Sequence, residues 1–321
     1  MYQGFSEKAH TTADCLLRTC TQNTHAAVLH TRRMNSLCSR KPSPCLQNGT
    51  VSSNTVLLIG THLKNCHNQT IITISVSERS VVMQDSYVGD IGDYGKYGLL
   101  RLICNEALSL SINWYRVNPQ KSGKQDDGKY INYLYKPQLY RGYDPDLFDS
   151  LHQIVIQQQD RKIAHIEHAN LFPAVYFSKP LDSDRITWHR QALEQTKDSR
   201  VVFLDPDNGL ETEKMHQTGK ATTKHVTWTE LKDYYNRGQS VILYQHRPQM
   251  MSKETCIDNV MHFQREFLQA DCVKLLEFPK YTNRFYFMFL HECDKSAFEQ
   301  VCHRITQKWS KDGFCREILL R

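Results

Sequence analysis

The first 82 residues are nearly without aromatics: Tyr2 and Phe5 are the only two, and no tryptophan occurs before Trp114. No sustained helical or strand periodicity appears there before Thr70–Met83, and the stretch is rich in Thr, Ser, Asn, Cys and His. So little apolar surface cannot offset the entropy of ordering the chain, which excludes a conventional core. Residues 1–82 are therefore read either as a disordered extension with its own role or as a mis-called start. Met83-Gln-Asp-Ser-Tyr runs straight into the first ordered-looking motif, which favours Met83 as the true initiator.

Other absences narrow the class further. Val56–Ile59 is too short to cross a bilayer, and Met1 is not followed by a basic start and an apolar core. Neither a membrane protein nor a secreted one is expected. Five of the eleven cysteines lie before Met83, and the other six show no CxxC pair or metal-ligand spacing. The expectation is a cytoplasmic protein with reduced thiols and no metal centre, in which the sequons at Asn48 and Asn68 have no meaning. A strong basic charge on the domain is missing as well. Eight Lys/Arg against three Asp/Glu place +5 of the net +6 before Met83, leaving about +1 for the remainder. A nucleic-acid partner must therefore be argued from individual sites, not from net charge.

From Met83 to Arg321 the pattern changes. Hydrophobic runs recur with aromatics, and strand-like and helix-like segments alternate. Strands are expected at Ser111–Val117, Tyr130–Tyr135, Ile163–Glu167, Ala174–Phe177, Arg200–Leu204, Ser240–Tyr244, Val273–Phe278 and Arg284–His291. Helices are expected at Leu99–Leu108, Asp146–Gln159, Arg185–Gln195, Thr229–Asn236, Lys253–Gln269 and Ser296–Trp309, with Asn118–Lys129 a polar loop. This alternation predicts a single α/β domain over 83–321 with a doubly wound, mostly parallel, Rossmann-like sheet. In such sheets the active site lies at the C-terminal strand ends.

Two strand ends carry chemistry. Val201-Val-Phe-Leu204 runs into Asp205-Pro-Asp-Asn-Gly209, and Val241-Ile-Leu-Tyr-Gln245 into His246-Arg247-Pro248. Carboxylates at such a tip serve as base, charge stabiliser or Mg²⁺ ligands, and a histidine there relays a proton or donates to an anion. The bland alternatives are an Asn-Gly turn and a packed histidine. A third motif, Tyr87-Val-Gly-Asp-Ile-Gly-Asp-Tyr-Gly-Lys-Tyr-Gly98, reads as a glycine-punctuated turn before a helix and sets Asp90, Asp93 and Lys96 close together. Its two aspartates oppose a simple phosphate cradle.

Taken in order, these motifs resemble the RlmJ-type adenine-N6 methyltransferases of large-subunit ribosomal RNA. That family opens with G-N-x-A-D-x-x-K-H, matched in spacing by Gly89-Asp-Ile-Gly-Asp-Tyr-Gly-Lys-Tyr97. Its catalytic D-P-P-Y ends a central strand, as Asp205-Pro-Asp-Asn208 does here, and its W-Y-P falls at Tyr244-Gln-His246. The resemblance implies a methyltransferase-like fold, a base flipped out of its stack, and S-adenosylmethionine as methyl donor. Two departures bear on methyl transfer itself. The donor-binding D-x-x-A-G-x-G loop is absent after Trp114-Tyr-Arg-Val117, and the D-P-P-Y aromatic is Asn208.

Without a methyl donor, hydrolysis is the simplest reaction left. The favoured expectation is a DNA glycosylase-type hydrolase that removes a flipped base, with DNA preferred to RNA and no cofactor. Stand-alone enzymes of this kind often act in anti-phage (antiviral) defence. Asp205, Asp90, His246 and Lys96 are the expected catalytic residues; Tyr87, Asp93, Asp207, Asn208 and Arg247 are expected to bind substrate. The alternatives are an S-adenosylmethionine-dependent adenine methyltransferase, a Mg²⁺-dependent phosphodiesterase using Asp205 and Asp207, and an inactive nucleic-acid-binding protein.

Overall fold

The computed structural model describes residues 83–117, 128–181 and 184–320. The expectations for residues 1–82 and for most of the polar loop after Val117 lie outside the described residues.

A 3₁₀ turn over Met83–Tyr87 leads into helix α1 (Ile91–Asn105) and strand β1 (Leu110–Asn113). A helical stretch follows: a turn at Asn132–Tyr135, α2 (Pro137–Tyr140), α3 (Pro145–His152) and α4 (Ile163–His168). Next come β2 (Ala174–Phe177), α5 (Arg185–Gln195), β3 (Val201–Leu204), β4 (Gly209–Leu210), α6 (Glu213–Thr218) and β5 (His225–Val226). The chain finishes with α7 (Trp228–Asn236), β6 (Ser240–His246), α8 (Lys253–Phe263), β7 (Cys272–Phe278), β8 (Arg284–Leu290), α9 (Lys295–Trp309) and β9 (Arg316–Ile318).

Seven strands form the central sheet in the order β2-β1-β3-β6-β8-β7-β9. Five run one way; β8 and β9 run against them. Central strands covered on both faces read as unbroken apolar runs, as V-V-F-L and F-Y-F-M-F-L do. Alternate residues then feed opposite faces. Ile112, Phe203, Ile242 and Met288 pack with Leu99, Ile103, Leu147 and Ile305, whereas Val202, Val241, Phe287 and Phe289 pack with Trp188, Leu231 and Phe263. Each such buried side chain contributes about 1.5–3 kcal/mol.

Three local expectations fail for identifiable reasons. The glycine-punctuated segment is not a turn, because α1 already begins at Ile91. Gly92, Gly95 and Gly98 share one face of α1, where a Cβ would strike Arg284, lie 2.6 Å from Phe278, and strike Trp309 respectively. Each glycine costs the helix about 1 kcal/mol relative to alanine, offset here by close approach to the bulky side chains of Phe278 and Trp309. The strand expected over Ser111–Val117 leaves the sheet at Asn113, whose Oδ1 accepts from the Tyr115 amide at 3.0 Å. Within the expected strands Tyr130–Tyr135 and Ile163–Glu167, Asn132–Tyr135 is a 3₁₀ turn and Ile163–Glu167 lies in helix α4, since their apolar residues sit on helical faces. Tyr133 stacks on Tyr94, and Ile163 and Ile166 are both buried.

The six cysteines among the described residues are free thiols. Among the described residues no helix is long and apolar enough to cross a membrane.

Candidate active site

The parallel strands β3 and β6 end at one edge of the sheet, and antiparallel β8 begins there. The N-terminus of α1 reaches the same place. Together they enclose a cavity of about 340 Å³, within the roughly 300–1,000 Å³ of small-molecule sites. Tyr87, Asp90, Asp93, Lys96, Asp205, Asp207, Asn208 and His246 all line it. Eight of the nine residues singled out in the sequence therefore converge. The ninth, Arg247, is not among the lining residues, and its Nη1 donates to the Met251 carbonyl at 2.6 Å.

Lys96 is the centre of the charge cluster. Its ammonium sits 2.8 Å from Asp93 Oδ1 and 2.7 Å from Asp205 Oδ2. It also lies over the rings of Tyr97 and Trp114, at 5.3 and 5.6 Å. Asp93 Oδ2 accepts from the Tyr97 hydroxyl at 2.9 Å and from the Gly89 amide at 3.1 Å. Asp90 caps α1 by accepting from the Asp93 amide at 2.9 Å, and its other oxygen is 3.4 Å from Arg284 Nη2.

Burial is the largest influence on the protonation equilibria of this group. Burial, with further repulsion from Asp93 and Asp207, pushes Asp205 up to about 6 in spite of Lys96. Burial likewise raises Asp90 against the pull of Arg284. Burial opposes the charge on Lys96, but Asp205 and Asp93 outweigh it and hold the ammonium well above its usual range. Lys96 is thus a fixed positive charge. Burial, then Arg284 and Arg247, lowers His246, which leaves a neutral imidazole at pH 7.

The Asp205–Gly209 turn is held from the neighbouring strand. Gln245 Oε1 accepts from the Leu210 amide at 2.8 Å, and its Nε2 donates to the Asn208 carbonyl at 3.1 Å. Gly209 sits at φ +112° directly against Gln245, a place that no side chain fits. Asn208 also approaches His225 Nε2 at 3.4 Å, and Asp207 lies 4.0 Å from Lys224.

Sequence reasoning missed Arg284, Tyr286, Tyr244, Tyr130 and Trp114, all of which line the cavity. Tyr286 is wholly buried, and its hydroxyl has no hydrogen-bond partner among the described residues. A polar group left so calls for a ligand atom or a water, because an unmade buried hydrogen bond is costly. Arg284 had a visible signal, a lone cation heading the apolar run F-Y-F-M-F-L.

A methyl donor bound as the resemblance implies needs a glycine loop at the tip of β1. That tip instead carries Trp114 and Tyr115, both 1 % exposed, with the Trp114 indole donating to Glu167 at 2.8 Å. The residues there do not fit it. For the divalent cation expected at Asp205 and Asp207, Asp205 Oδ2 already accepts from the Lys96 ammonium at 2.7 Å and Asp207 lies 4.0 Å from Lys224. Among the described residues no group of three or more His, Cys, Asp or Glu is arranged to hold a metal ion.

No family model matches the chain, and no curated protein matches it.

Proposed function

We propose that this protein is a hydrolase of N-glycosidic bonds that takes one flipped-out base of a nucleic acid into the cavity. The single observation that carries the reading is the placement of Asp205, largely buried and raised to about 6, against the fixed Lys96 ammonium inside a wall of aromatic rings. Trp114, Tyr130, Tyr244 and Tyr286 form that wall and suit a flat heterocycle. The sheet order supports a doubly wound, Rossmann-like scaffold related to the adenine methyltransferases that the motifs resemble. A cytoplasmic site of action accords with six free thiols among the described residues.

The chemistry follows the logic of glycoside hydrolysis. The bond from the anomeric carbon to the base nitrogen breaks, and positive charge grows on the sugar. Ionised Asp205 stabilises that charge and accepts a proton from the water whose oxygen bonds to the anomeric carbon. The departing base takes the electron pair, and hydrogen bonds from Lys96, His246 and Arg284 stabilise it until it gains a proton from solvent, to which Asp205 releases the one it accepted. The products are free base and an abasic sugar, and no other reactant is consumed.

Single- and double-stranded DNA and RNA should be incubated with the protein, with and without S-adenosylmethionine. Free base by mass spectrometry and alkali-labile sites without the donor are expected, from DNA in preference to RNA. Donor-dependent methylation with no free base would overturn the reading in favour of an adenine methyltransferase. Strand nicks abolished by EDTA would favour a Mg²⁺-dependent phosphodiesterase.

A further inference from the structure

The hairpin between β7 and β8 holds a large ring at the rim of the cavity. Tyr281 is 59 % exposed, yet its ring lies flat on Tyr130, with centroids 4.7 Å apart and planes at 15°. Tyr130 lines the cavity, as do Thr282 and Arg284 from the same hairpin. The aromatic wall inside is therefore continued outward by one more ring, which offers its uncovered side to solvent.

Two features set Tyr281 apart from an ordinary exposed tyrosine. Its backbone is left-handed, at φ +63°, a conformation that a bulky side chain rarely adopts and that glycine would hold without strain. The hairpin is also tied to the charge cluster. Arg284 Nη1 donates to the carbonyls of Lys280 at 3.1 Å and Thr282 at 3.3 Å, while its Nη2 faces Asp90 at 3.4 Å. One guanidinium thus fixes both the rim ring and the acid at the start of α1. Beside the stack, exposed Lys129 lies 5.8 Å from the centre of the Tyr130 ring.

We propose that Tyr281 is the stacking platform for the base adjacent to the one taken into the cavity, so that the protein engages single-stranded or locally opened nucleic acid. Stacking on an aromatic face is tolerant of sequence, because every base presents a π-face. The inference rests on the base-processing reading of the cavity, but binding alone tests it.

Short single-stranded DNA and RNA oligonucleotides with 2-aminopurine beside the central base are titrated onto the full-length Asp205→Asn protein, which leaves the probe intact. Anisotropy reports affinity, and quenching of 2-aminopurine reports stacking. Tyr281→Ala is expected to weaken binding on the order of 10–100-fold, as for one lost base–aromatic stack, and to abolish the quenching. Tyr281→Phe and Tyr281→Trp should retain both, which a merely structural role for the hydroxyl would not predict. Tighter binding of one oligonucleotide identifies DNA or RNA as the source. Equal affinity and quenching in Tyr281→Ala, with unchanged thermal unfolding, overturns the platform, as does failure of the unsubstituted protein to bind either probe. Tyr281-dependent binding without base release by the wild-type protein sustains the platform and overturns the hydrolytic reading. Base release that is indifferent to Tyr281→Ala does the reverse.

Discussion

Two buried charge clusters of this protein are built in opposite ways. On β7, Glu277 is fully buried and meets two cations, Lys253 at 2.7 Å and Arg316 at 2.5 Å. Burial opposes its charge, but hydrogen bonds from Arg316 and Lys253 prevail and hold the carboxyl below its usual range. Across the sheet, Asp90, Asp93 and Asp205 share Lys96 and Arg284, and Asp205 stands at about 6. A carboxylate with cations to spare is locked in one charge state and serves structure. Asp205, whose burial outweighs the pull of its one bonded cation, keeps a proton within reach of neutral pH, which is where acid–base chemistry is done.

The largest expected effect tests the second cluster. Asp205→Asn keeps the shape and removes the charge, so kcat for base release should fall on the order of 10²–10⁴-fold, with KM little changed and the fold intact. Wild-type rates in this variant would break the comparison. Glu277→Ala should behave in reverse. It should lose about 1–3 kcal/mol in denaturant unfolding, because two cations are left without their partner, while kcat stays near wild type. The loss is kept moderate by Arg316, whose side chain is 59 % exposed. His246→Ala comes next, with a fall in kcat of about 10–100-fold, as for one lost hydrogen-bonding or proton-transfer partner.

The smallest and sharpest test is the pH dependence of stability. The folded-state Asp205 carboxyl lies above its unfolded value near 3.9. Its contribution is therefore full below about pH 4 and is lost as pH rises through about 6. Glu277 is lowered, so its contribution is present above its unfolded value and is lost as pH falls through the folded one. Thermal unfolding of Asp205→Asn should lack a decline between pH 4 and 6 that wild type shows, and Glu277→Gln should lack an acid-side loss. In the same way kcat/KM should rise with pH to a plateau above about 6, a limb expected to vanish with Asp205. Identical profiles in all three proteins would show that neither cluster titrates as described.

Both strand ends were legible, because a four-residue apolar run, V-V-F-L before Asp205 and V-I-L-Y before Gln245-His246, reads as a buried strand reaching the sheet edge. Asp90, Asp93 and Lys96 were legible as a cluster, but not as the start of a helix. Glycine's low helix propensity suggested a turn, and only the neighbours Phe278 and Trp309 reveal why no Cβ is tolerated there. The proximity of Arg247 to His246 in sequence said nothing of its direction. Successive residues leave a strand on opposite sides, and Arg247 turned toward Met251.

The sequence by itself determined the alternation of strands and helices and the chemical identity of the strand tips, since both depend on local patterns of apolar and polar side chains. Tertiary structure alone decided that β8 runs antiparallel between β6 and β7, with Arg284 paired to His246. That pairing brings Arg284 and Tyr286 to face Asp90 and Lys96 across about 190 residues of chain. No local pattern encodes such a meeting, because strand order is fixed by which faces bury together and not by the order in which they are written.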